Sequence, residues 1–173
     1  YLDNHKEKWD LLDLQGLSED SPSLRYLKNW FLTSNQSQYR IGNCEACPCI
    51  TLPQSFTEYI QSRSKNTRKN FHKRRAKLIQ NFPDMELGYI DTLDGWEMAY
   101  HELVRLHQAR WENRGYAGSF AGDKFAKFMT VYLPRGLVDG TVRIYYMKVG
   151  SEYIAIEVCF CNGKKAFDYI SGF

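Results

Sequence analysis

The 173-residue sequence predicts an α/β fold in which helices lead into a β meander. Three observations predict it. Two stretches, 93–113 and 123–133, repeat apolar residues at helical spacing. Three strand-like runs follow: Thr141–Val149, Tyr153–Cys161 and Lys165–Ile170, separated by Gly150-Ser151 and Asn162-Gly163. Asn-Gly is the strongest two-residue hairpin signal, because both central positions of its turn need φ > 0.

Taken in order, Trp9–Leu14 (WDLLDL) reads as a short buried strand. Ser21-Pro22 opens a helix, with Ser as N-cap and Pro at the first helical position. Its residues Leu24, Leu27, Trp30 and Phe31 share one face. A polar loop, Ser34–Gln38, precedes an extended stretch, Tyr39–Leu52, broken by Gly42, Pro48 and Pro53. From Gln54 runs the longest helical pattern, with Phe56, Tyr59, Ile60, Phe71, Leu78 and Phe82 along one broad stripe until Pro83 ends it. Met85–Ile90 alternates as a strand. The helix over 93–113 places Trp96, Tyr100, Leu103, His107 and Trp111 on one side and stops at Arg114-Gly115. Asp123–Leu133 turns Phe125, Phe128, Met129, Tyr132 and Leu133 inward, and Pro134-Arg135-Gly136 terminates it.

Composition narrows the function classes. With 43% hydrophobic and 25% charged residues the chain is neither disordered nor fibrous. No run approaches the roughly 18 apolar residues of a membrane span, and a cytoplasmic location is expected. Five cysteines, an odd number, argue against a closed disulfide framework. Aromatics at 15% predict a well-filled core or an aromatic-lined cleft. The chain begins at Tyr1 and ends in or just after a strand-like run, so a fragment of a longer protein, incomplete at both ends, is expected.

The net charge of +3 conceals an asymmetry. Between Glu58 and Asp84 there is no acid but eight cations: Arg63, Lys65, Arg68, Lys69, Lys73, Arg74, Arg75 and Lys77. The remaining chain carries 15 basic and 20 acidic residues. Such a helix is either a solvated face with snorkelling side chains or a phosphate-binding element, with Arg68, Lys69, Arg74 and Arg75 as the anion contacts.

The hairpin supplies a second candidate. If Asn162-Gly163 is the two-residue turn, Cys161 faces Lys164 and Glu157 faces Asp168. Carboxylates directly opposite each other are avoided in sheets unless one holds a proton at raised pKa. Such a group is a candidate general base. A longer turn or a nearby cation removes the effect. His107 is a further candidate, although on an apolar stripe a core histidine is the ordinary reading. Cys44, Cys47 and Cys49 form a C-x-x-C-x-C cluster that Cys159 and Cys161 would have to complete for zinc. No second C-x-x-C or paired His supports this, and no metal is expected.

The segment Cys47-Pro48-Cys49-Ile50-Thr51-Leu52-Pro53, then Phe56, Tyr59, Ser64-Lys65 and Arg68-Lys69-Asn70, carries a family resemblance. Leu106-His107-Gln108-Ala109-Arg110-Trp111, Gly115, Gly118-Ser119-Phe120, Ile154-Ala155 and Tyr169-Ile170-Ser171-Gly172-Phe173 continue it in order. The sequence resembles the GNAT-fold acetyltransferases of the cellulose-biosynthesis type (CelD/BcsL-like), relatives of the FemAB-like transferases. The resemblance implies a mixed, mainly antiparallel sheet flanked by helices. It implies two tandem halves: residues 1–46 would end a preceding GNAT-like half, and 47–173 would form the front of the second. It implies acyl transfer from acetyl-CoA or another acyl-CoA to an amine or hydroxyl of a small molecule or saccharide, in exopolysaccharide or cellulose biosynthesis. The last strand, at Tyr169, Ile170 and Ser171, would lie along the CoA arm, and its backbone N–H groups would steady the oxyanion. The pyrophosphate would meet a helix beyond Phe173. Glu157 and Asp168, with His107 as an outside choice, would supply the base. Tyr145, Tyr153 and Tyr169 would line the acceptor cleft or pack the strands. The alternatives are a FemAB-like transferase using aminoacyl-tRNA, or an RNA- or anion-binding module acting through the basic helix 63–77.

Overall fold

A computed structural model describes residues 17–33, 40–42 and 48–173, with His5, Glu7, Leu11, Asp13 and Leu14. The chain divides into two compact units, Tyr1–Ser62 and Arg63–Phe173.

In the first unit, helix α1 spans Pro22–Thr33, where the Ser-Pro start signal places it. Leu24, Leu27, Trp30 and Phe31 are its half-buried face, as their spacing predicts. The strand expected at Trp9–Leu14 is absent where the chain is described: Leu11 and Leu14 are exposed and outside any strand. Trp9, Asp10 and Leu12 lie outside the described residues, as do Cys44 and Cys47 of the cysteine cluster. Helix α2 spans Phe56–Gln61.

The long helix expected from Gln54 to Phe82 is interrupted. After α2 the chain leaves helical structure and restarts as α3, Lys65–Asn81. The cause is local. The Ser64 hydroxyl accepts the Thr67 N–H at 3.2 Å, an N-cap that a continuous helix has no use for.

The second unit holds a four-stranded sheet. Its strands are β1 (Met85–Ile90), β2 (Val142–Val149), β3 (Glu152–Asn162) and β4 (Lys165–Gly172), in the order β1-β2-β3-β4 with every pair antiparallel. Helices α4 (Trp96–Glu112) and α5 (Asp123–Val138) meet the sheet in one core. Ala99, Tyr100 and Leu103 of α4 and Met129, Leu133 and Leu137 of α5 pack there against Val142, Ile144, Ile156, Val158 and Ile170. The two helices are also linked where the Tyr100 hydroxyl donates to Ala126 O at 3.4 Å.

Two expectations for α5 are corrected. Pro134-Arg135-Gly136 does not end it; the helix continues to Val138 and buries Gly136 and Leu137. Gly136 serves close packing, since a Cβ there would collide with the Val142 side chain. Phe128 is exposed rather than inward, stacked on Tyr132 at 5.3 Å between centroids.

Candidate active site

The site forms where α4 meets β4. Gly172 makes the meeting possible: a Cβ there would lie 2.8 Å from the His107 backbone nitrogen and 2.9 Å from Leu103 O. Helix and strand therefore touch backbone to backbone, which no other residue permits.

One turn along, His107 is buried at 4% exposure with both ring nitrogens engaged. Its Nε2 accepts the Ser119 N–H at 3.2 Å. A backbone N–H can only donate, so Nε2 carries no proton and Nδ1 does. Nδ1–H then donates to Ser171 O at 2.9 Å. The neutral ring thus ties β4 to the segment after α4. Gln108 completes the tie: its Nε2 donates to Ala117 O at 2.8 Å and its Oε1 accepts the Phe120 N–H at 3.2 Å. The His-Gln pair and the Gly118-Ser119-Phe120 segment are two halves of one clamp, a relation that spacing alone does not reveal.

The β3–β4 hairpin differs from the expected register. Asn162 pairs with Lys165, and the turn residues are Gly163 and Lys164. Gly163 has φ of +57° and no non-glycine residue has positive φ among the described residues. Only the first central position is left-handed, so the turn takes its glycine there and Asn162 stays in the strand. Asp168 consequently faces Cys159, and Glu157 faces Ser171. The direct carboxylate pair is overturned. Both carboxylates are exposed, with the buried Cys159 between them. The Cys159 thiol donates to Glu157 Oε1 at 3.4 Å. Its pKa is pushed up to about 12, first by burial, then by the Glu157 hydrogen bond and the charges of Glu157 and Asp168.

A register shift follows immediately: Cys159 pairs with Asp168 but Val158 with Ile170, so Tyr169 is an extra, unpaired residue in β4. This is a β-bulge, which bends the strand and re-aims its groups. The Tyr169 ring stacks on Phe160 at 4.1 Å and approaches Phe125 at 6.3 Å. Burial raises its phenol pKa.

Beside the bulge lies an open cleft of about 410 Å³, lined by His107, Arg110, Trp111, Ser119 and Phe125 on one side and Asp168–Ser171 on the other. The structure therefore brings together His107, Asp168, Tyr169, Ile170 and Ser171. It leaves out Glu157, whose side chain is not among the lining groups. Of the three tyrosines only Tyr169 lines the cleft: Tyr153 is buried in the core, and Tyr145 alternates with the core residue Ile144. Arg110 is a lining residue to which the sequence alone assigns no role. Its signal was its position three residues after His107, on the same helix face.

The cations of α3 lie on a helix with no buried residue. Arg68 is half-buried, and Lys69, Arg74 and Arg75 are exposed. Lys69, Lys73, Arg74, Arg75 and Lys77 form no ion pair among the described residues. No group of three metal-ligating side chains occurs among the described residues, and no helix there is long and apolar enough to cross a membrane.

Residues 65–173 match the family model described as acetyltransferase (GNAT) domain. No curated protein matches the chain.

Proposed function

The chain belongs to the acetyltransferase (GNAT) domain family, and from that premise we propose that it moves an acyl group from acyl-CoA to an amine or hydroxyl in the α4–β4 cleft. The observation that carries this reading is the bulge: Tyr169 leaves the ladder beside a cleft that also holds a carboxylate, Asp168. Backbone N–H groups freed from strand pairing are the donors an oxyanion needs.

The residues present fit the acyl end of such a donor. Phe125, Trp111 and Tyr169 supply apolar wall, and β4 is the edge strand of the described sheet. Acyl-CoA supplies the activated carbonyl as a thioester. Tyr169, Ile170 and Ser171 hold the donor along β4 through backbone groups. Asp168 takes the proton from the acceptor nitrogen or oxygen as that atom bonds to the carbonyl carbon. The carbon–sulfur bond breaks, and the departing thiolate receives the proton. His107, with both nitrogens committed, is a positioning residue that fixes the Ser171 carbonyl and the Ser119 loop. Glu157 acts on this site through Cys159 and the local charge. The family resemblance extends the acceptor to a saccharide of exopolysaccharide synthesis.

The test is release of CoA, followed chromatographically, from acetyl-CoA and longer acyl-CoAs with panels of amines and saccharides. Asp168→Asn is expected to lower turnover about a hundredfold or more. Unchanged turnover in both Asp168→Asn and Glu157→Gln removes the two carboxylates from the mechanism.

A second reading rests on α3, whose Lys69, Arg74 and Arg75 have no ionic partner among the described residues. With Arg68 they would contact the phosphates of an RNA such as tRNA. Binding that weakens steeply with salt supports this; absence of binding at low salt rejects it.

A further inference from the structure

We infer that Arg110 recognises an oxyanion, a carboxylate or phosphate, carried by the acceptor, so that the substrates are amines or hydroxyls that also bear a negative group. The inference rests on the acyl-transfer reading of the cleft and deepens it.

Arg110 lines the cleft from α4. Its Nε is buried and has no hydrogen-bond partner among the described residues. No ion pair involves it among the described residues. Its guanidinium lies against an aromatic face: Cζ is 3.8 Å from the Phe173 ring centroid. Stacking occupies the plane of a guanidinium and leaves its N–H donors, which all point along the edge, uncommitted to the ring.

Another arginine of the same helix shows what an internally satisfied guanidinium looks like. Arg105 Nε donates to Glu102 Oε2 at 2.8 Å, and its terminal nitrogen donates to Tyr153 O at 3.2 Å. Arg110 has neither kind of partner. Asp168 stands in the same cleft and does not pair with it. The cleft thus keeps one cation and one carboxylate apart, with the Tyr169 phenol and an imidazole held by two hydrogen bonds as its other polar walls. A buried donor without a partner is costly to the fold unless a ligand meets it. A carboxylate or phosphate meets it best, because two oxygens of either group match the guanidinium edge at once. An acceptor whose nucleophile lies at Asp168 and whose anion lies at Arg110 satisfies both groups at once.

Two readouts test this. In the first, malonate is titrated into ¹⁵N-labelled protein, with malonamide as the neutral control. The Arg110 Nε–Hε resonance, assigned through Arg110→Lys, is expected to shift with malonate alone. In the second, turnover is compared for β-alanine against β-alaninamide and for O-phosphoethanolamine against ethanolamine. Arg110→Gln is expected to raise KM for the anionic member of each pair about ten- to a hundredfold. KM for the neutral member and for acetyl-CoA should stay within about twofold, a change too small to signal a lost charged contact. Arg110→Lys, which keeps the charge and stem, should recover part of the loss. A rise in KM for acetyl-CoA instead would assign the oxyanion to the co-substrate and overturn the inference. Turnover that treats charged and neutral acceptors alike, with no response at Nε, overturns it while leaving the acyl-transfer reading intact. A malonate-specific shift without turnover on any acceptor upholds the anion site and rejects acyl transfer.

Discussion

Gly172 is the residue with the least freedom in the site. A methyl group there would press on backbone atoms of α4, which cannot rotate away. Gly172→Ala is expected to destabilise the domain by about 1–3 kcal/mol, the usual range for overpacking, read from the urea midpoint. His107 was legible as a member of an apolar helix stripe, and it is buried there as that stripe requires. Its two partners were not legible, because Ser119 and Ser171 are brought to it only by tertiary folding. Cys159 gives a pH prediction. Its thiol holds its proton up to about pH 12 in the folded chain, well above the ordinary thiol value of the unfolded one. The native state therefore binds the proton more tightly, and stability falls as pH rises from about 9 toward 12. Thermal melts of Cys159→Ala should lose the part of that alkaline decline that Cys159 causes. By the same logic Cys159 should resist iodoacetamide at mildly alkaline pH until the chain is unfolded, as peptide mass mapping would show.

Among elements, the four strands of the sheet were read well, because alternation and glycine turns mark them directly, whereas the apolar run at Trp9–Leu14, which has neither mark, was misread. β1 matches its expected limits, and β2, β3 and β4 differ from theirs by one or two residues. Register was another matter. Asn-Gly announces a hairpin but does not say whether Asn or Gly opens the turn, and that choice moves the cross-strand partners by two residues up to the bulge, which adds a third beyond it. The bulge at Tyr169 has no sequence mark at all. Helix limits failed where a signal had two meanings. Gly136 looked like a stop and is a packing site, and Ser64 looked like part of a helix and is its cap. The packing role predicts a coupling. Gly136→Ala alone should destabilise by about 1–3 kcal/mol, and Val142→Ala, which clears the space, should recover part of that loss beyond additivity in a double-mutant cycle. The clamp predicts a kinetic effect. Gln108→Ala should speed hydrogen exchange at the Phe120 amide, whose acceptor it removes, while core amides of β3 keep their protection.

For the whole molecule, the α/β class and the antiparallel sheet were legible from periodicity, and the GNAT acetyltransferase domain, at that coarser level, from an ordered string of short motifs. Every lining residue of the cleft belongs to the unit Arg63–Phe173. Whatever thermal shift acetyl-CoA produces in the intact chain, a chain lacking residues 1–62 is therefore expected to reproduce it, and loss of the shift would place a binding contribution in the first unit. The backbone contact at Gly172 has a consequence for substrate scope. Because α4 and β4 are already in contact through backbone atoms, their spacing cannot be reduced, nor increased without giving up the contact that seats them. Acyl chains of different length must then be told apart by interchangeable side chains, and the Phe125–Tyr169 aromatic wall is where natural or engineered variation would change the size admitted.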